Sequence, residues 1–151
     1  MTDTTPTESN LSGLDRKDFQ KNINSRKTDL YILKNAQGME VAVTNYGCAI
    51  LSIMVPDKNG KFANVILGHD SIEHVINSPE PFLSTTIGRY GNRIANGKFT
   101  LYGEEHQLTV NNGPNSLHGG PTGFHARVWD AVQPNESTVI FNYTSADGEE
   151  G

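Results

Sequence analysis

The chain has 151 residues, a formal net charge of −5 and 35% hydrophobic residues, with 15 glycines and seven prolines. That length suits one domain, or part of one, and the composition suits a loop-rich all-β protein better than a helical bundle. No basic stripe is present to track a phosphate backbone, no run approaches the roughly 18 apolar residues of a membrane span, and the lone Cys48 excludes a disulfide framework, so nucleic acid and membrane are not expected partners.

Residues 1–13 are rich in Thr, Ser, Pro and Asn, and are expected to form a disordered tail ahead of a domain over 14–151. The N-terminus has neither the basic start nor the apolar core of a signal peptide, which points to an unexported, cytoplasmic protein. "DLYILKN" and "MEVAVTNY" alternate as a β-hairpin around "AQG". "AILSIMV" and "FANVILG" repeat the pattern around "PDKNGK", where Asn59-Gly60 is a two-residue turn signal. Cys48, in the apolar run "YGCAILSIMV", reads as a buried, inert thiol. "SIEHVIN" predicts a short helix with Ser71 as N-cap, because Ile72, Val75 and Ile76 fall at i, i+3 and i+4. "GKFTLYG" and "EHQLTVN" predict a hairpin turning at Gly103, and "RVWDAVQ" and "TVIFNYTS" another around "PNES". Short strands at this spacing predict an antiparallel β-sandwich or barrel.

Two segments could carry chemistry. "NSLHGGPTGF", residues 115–124, surrounds His118 with glycines. It reads either as a surface turn or as the rim of an open site where a ligand can approach the main chain. "GRYGNRIANGKF", residues 88–99, sets Arg89 and Arg93 among glycines and asparagines. Its guanidinium forks and amides suit a hydroxyl-rich ligand such as a sugar, or else serve turns and internal ion pairs. "DGEEG" reads as an acidic turn, since adjacent carboxylates on a strand face opposite ways. The histidine spacings match no zinc pattern, and no structural metal is expected.

Taken in order, "NYGCAILSIMVPDKNGKFANVILG", "TIGRYGNRIANGKFTLYGEEHQL", "NSLHGGPTGFHARVWDA" and "SADGEEG" resemble the N-terminal half of aldose 1-epimerases, the galactose mutarotases. The resemblance implies a galactose mutarotase-like antiparallel β-sandwich, here truncated, with an aldohexose in an open cleft and no cofactor. It implies that Asn92 and Arg93 bind sugar hydroxyls, and that His118 reaches the ring oxygen and assists catalysis, the loop glycines letting the sugar come close. Arg89 would belong to the supporting shell. Gly91 stands where the family usually has alanine. The family's "NHxYFN" histidine, which protonates the ring oxygen, and its glutamate base lie in blocks that do not occur in these residues. Members are expected to be about twice as long, so the chain alone is expected to be inactive and to self-associate through uncovered sheet edges. A non-catalytic sugar-binding module and an unfolded gene remnant are the rival readings.

Overall fold

This computed structural model describes residues 10–151, so positions 1–9 of the expected tail lie outside the described residues. Residues 10–13 are packed: the amides of Leu11 and Ser12 donate to the Glu40 carboxylate at 2.9 and 3.0 Å. Glu40 is fully buried, and a buried carboxylate needs donors, which the segment before Leu14 provides. Within the described residues, then, the part of the expected tail at residues 10–13 is already packed against Glu40.

Every strand pairing is antiparallel. A 3-10 turn over Arg16–Phe19 leads into the small ribbon of β1 (Asn22–Ile23) and β2 (Arg26–Lys27). The four expected strands then follow as β3 (Leu30–Lys34), β4 (Glu40–Thr44), β5 (Ile50–Pro56) and β6 (Phe62–Asn64), which form one sheet in chain order. Between β5 and β6 the Asp57 side chain accepts from the amides of Asn59 and Lys61, and Gly60 takes φ +80°, as the Asn-Gly signal requires.

The expected helix is α1 (Ile72–Ile76), where the Ser71 hydroxyl accepts from the His74 amide at 3.3 Å. Its Ile72 and Val75 join Phe19 of the 3-10 turn to cover Leu30, Ala42 and Leu51 of the sheet, and this is the core. Cys48 is half-buried rather than enclosed; burial pushes its thiol up to about 12, against a hydrogen bond with Thr86.

Beyond the core come β7 (Arg93–Ile94), β8 (Lys98–Leu101), β9 (Glu104–Gln107) and β10 (Ser116–Leu117). Tyr102 and Gly103 join β8 to β9 with both φ positive, the geometry of a type I′ hairpin turn. Last come β11 (Asp130–Asn135) and β12 (Thr138–Asn142), a ribbon laid along β3. It is tied there by the Lys34 amide on the Glu136 carbonyl and the Gln133 carboxamide on the Ile32 carbonyl, both at 2.8 Å. The all-β antiparallel class is what the sequence predicts. Among the described residues no helix is long and apolar enough to cross a membrane.

Candidate functional site

The two segments singled out in the sequence meet. β7 pairs with β10, Arg93 opposite Leu117 and Ile94 opposite Ser116, and Asn92 and His118 extend that pairing by one step. The His118 amide donates to the Asn92 carbonyl at 3.0 Å, and the Asn92 amide donates back to Nδ1 of the His118 ring at 2.9 Å. An Nδ1 that accepts leaves the proton of the neutral ring on Nε2, which becomes the free donor. Both residues sit in the left-handed region, Asn92 at φ +64° and His118 at φ +54°. Non-glycine residues there store strain, a feature that clusters at ligand sites. Asn111 braces the strand before His118, its side chain donating to the Leu117 carbonyl and accepting from the Leu117 amide. Arg93 is exposed, and its Nε donates to Asn112 at 2.9 Å, which orients the outer guanidinium nitrogens.

The glycines of the histidine loop have a reason that the sequence does not display. A Cβ on Gly119 would lie 1.9 Å from the Gly88 carbonyl oxygen, and one on Gly123 would lie 2.8 Å from the same atom. On the other segment, a Cβ on Gly88 would meet the Phe124 ring at 2.3 Å. Thus Gly88, Gly119 and Gly123 let two backbones touch, and the Phe124 amide seals the contact on the Gly88 carbonyl. Close backbone packing, more than the approach of a ligand, accounts for these glycines.

Arg89 makes different contacts from Asn92 and Arg93. Its guanidinium donates to the carbonyls of Ala146 and Glu149, tethering the C-terminal acidic turn. Glu149 in turn accepts from Tyr143 and Ser145 and pairs with Arg127 at 2.7 Å, with a side chain only 12% exposed. Burial works against its ionisation, but the hydrogen bonds from Ser145 and Tyr143 and the charges of Arg127 and Arg89 outweigh it and hold the carboxyl below its ordinary value.

An open cavity of about 560 Å³ lies beside these groups, lined by Arg89, Tyr90, Asn92, Arg93, Phe99, Phe124, Glu149 and Glu150 among others. Gly119 reaches its wall whereas the His118 ring does not, so the imidazole stands at the edge of the cavity rather than inside it. The ring is set by Phe82, whose centroid lies 4.9 Å from it; the same Phe82 packs on His125 at 4.5 Å. His125 is buried, and its Nδ1 has no partner among the described residues. Burial holds its imidazole below the ordinary value, against the pull of Glu150 and with the help of His118 and Arg127. Phe82 carries no signal in the sequence, and His125 reads there only as a possible metal-ligand partner of His118, seven residues on, at a spacing that matches no zinc pattern.

A model of the aldose 1-epimerase family matches residues 29–151. The chain belongs to the aldose 1-epimerase family. It is 42% identical over 113 residues to a galactose mutarotase of Bos taurus, covering 75% of this chain and 32% of that protein. It is 40% identical over 122 residues to an aldose 1-epimerase of Escherichia coli, covering 81% of this chain and 35% of that protein. A GalM/aldose epimerase homologue from C. elegans superposes with a TM-score of 0.76 at 31% identity, over 82% of this chain and 38% of that one. A galactose 1-epimerase from Lactobacillus acidophilus gives a TM-score of 0.73 at 30% identity, over 86% of this chain and 38% of that one. The matched stretch thus covers about a third of the length of these curated epimerases.

Proposed function

We propose that the chain forms one wall of an aldohexose site in a mutarotase, an enzyme that interconverts the α and β anomers of sugars such as galactose and glucose. Asn92 and Arg93 hold sugar hydroxyls, and His118 directs its Nε2–H at the ring oxygen and assists ring opening. The observation that carries this reading is the reciprocal Asn92–His118 pairing, which leaves the proton of the neutral ring on Nε2 in a residue flanked by the cavity-lining Asn92 and Gly119.

Mutarotation needs a base at the anomeric hydroxyl and an acid at the ring oxygen. The ring opens to a free aldehyde, the bond beside the aldehyde carbon rotates, and closure from the other face inverts the anomer. Only protons are transferred, and carboxylate and imidazole groups suit that task near neutral pH. These residues contribute the positioned imidazole and the hydroxyl contacts. The family's principal acid and base have no match among them, so the 151-residue chain binds sugar weakly and does not speed mutarotation.

Polarimetry and a nuclear magnetic resonance titration with D-galactose test both halves. Weak, saturable binding that disappears in His118→Ala, with mutarotation at the buffer rate, is the expected result. Unchanged binding in His118→Ala would remove His118 from the site. Catalysis by the chain that is lost in His118→Ala would show that an acid and a base are present after all.

A further inference from the structure

Glu149 and Glu150 are adjacent in sequence but serve different parts of the fold. Whereas Glu149 is occupied by Arg127, Tyr143 and Ser145, Glu150 turns to the loop that carries His118. One carboxylate oxygen accepts from the Thr122 amide at 2.9 Å and from the Thr122 hydroxyl. The other lies against Gly120, where a Cβ would come within 2.5 Å of it. The Glu150 residue takes φ +61°, and its carbonyl is fixed by the Thr109 amide at 2.9 Å.

The loop from Gly119 to Gly123 has few side chains with which to hold itself, and glycine loses the most conformational freedom on ordering. An anchor from outside therefore adds to the Gly88 contact in narrowing how the loop, and with it His118, is held. A carboxylate accepting two hydrogen bonds is a strong anchor of that kind. Gly120 has to be a glycine for the anchor to fit.

We propose that Glu150 is a positioning residue that holds the His118 imidazole in its sugar-binding pose through Thr122 and Gly120. The proposal rests on the reading of His118 as a sugar ligand, but its first readout needs no sugar. In nitrogen-15 spectra of the 151-residue chain, His118 should show the pattern of a ring protonated on Nε2 with Nδ1 accepting a hydrogen bond. In Glu150→Ala that pattern should average towards a mixture of tautomers, and D-galactose affinity should fall roughly tenfold, the scale of a hydrogen bond to a charged group. Glu150→Gln keeps an oxygen for the Thr122 amide and should restore most of both signals.

If Glu150→Ala does not fold, Thr122→Val, which removes only the hydroxyl from an exposed position, should move the His118 pattern part of the way. An unaltered His118 pattern in folded Glu150→Ala, or in Thr122→Val where the first variant is unfolded, overturns the proposal. Galactose binding unaffected by His118→Ala, alongside a disturbed pattern in the Glu150 variant, would instead overturn the assignment of the sugar site and leave the anchor standing.

Discussion

The backbone amide of Asn92 donates to the ring of His118, 26 residues further along the chain, at 2.9 Å. A side chain in the middle of a glycine loop thus takes its orientation from the main chain of a second loop. In a longer family form carrying these residues, His118→Ala should lower turnover of D-galactose or D-glucose by about 10²- to 10⁴-fold, the usual loss for a positioned imidazole. Polarimetry reads it, and near-normal turnover would make His118 an ordinary turn residue.

The two arginines should separate by phenotype. Arg93→Lys keeps a charge but loses the planar fork, so sugar binding should weaken while stability changes little. Arg89→Lys gives up guanidinium bonds to two backbone carbonyls and should lower the melting temperature with a smaller effect on binding. Calorimetric titration and thermal melts on both variants decide; the reverse order would exchange their roles.

Local chemistry was legible in the sequence and long-range packing was not. Ser71 as a cap, Asn59-Gly60 as a turn and the hairpin at Gly103 are each determined by residues within a few positions, and all appear where the pattern places them. Glu40 is fully buried, and the amides that satisfy it come from residues almost thirty positions earlier, a relationship no local pattern displays. Phe82 lies in a turn and His125 in a single 3-10 turn over Phe124–Ala126, too short to carry a periodic signal. The pairing of β7 with β10 joins two-residue strands whose neighbours are turns, below the length at which alternation can be read.

Two glycine substitutions with similar backbone angles should differ sharply. Gly60→Ala, at φ +80° with open space around it, should cost about 1 kcal/mol for the left-handed conformation alone. Gly119→Ala, at φ +83°, adds a collision with the Gly88 carbonyl and should cost about 3 kcal/mol or more, a large share of the stability of a small domain. Urea denaturation of the two variants measures the gap, and equal midpoints would contradict the backbone contact.

His125 should make stability depend on pH in the mildly acidic range. Its folded value lies below the ordinary imidazole value of about 6.5, so the unfolded chain binds the extra proton first. Stability is complete above that value and declines as pH falls towards the folded one. The groups facing the ring are His118, Arg127 and Glu150, of which only Glu150 opposes the shift. His125→Gln should flatten the melting temperature between pH 7 and about 5; an unchanged slope would assign the dependence elsewhere.

The ribbon of β11 and β12 exposes Val132 and Ile140, which face each other across the pair at 57% and 47% exposure. Apolar pairs on an exposed ribbon, together with uncovered strand edges, favour association between chains. Sedimentation should show a concentration-dependent oligomer, and the double change Val132→Lys with Ile140→Lys should return it to monomer. A wild-type monomer at all concentrations tested would remove this surface from consideration.

The contact of Gly88 with Gly119 and Gly123 also bears on how such a site can be altered or transplanted. Because the Gly88 carbonyl fills the space where side chains on Gly119 and Gly123 would stand, and the Phe124 ring fills the space of one on Gly88, neither loop can change its path independently. Transferring the histidine loop to another scaffold would require the arginine loop to travel with it. Variation in what the site accepts is then confined to positions whose side chains leave the contact, such as Tyr90 in the cavity wall, while the contact itself has to be kept as a single piece.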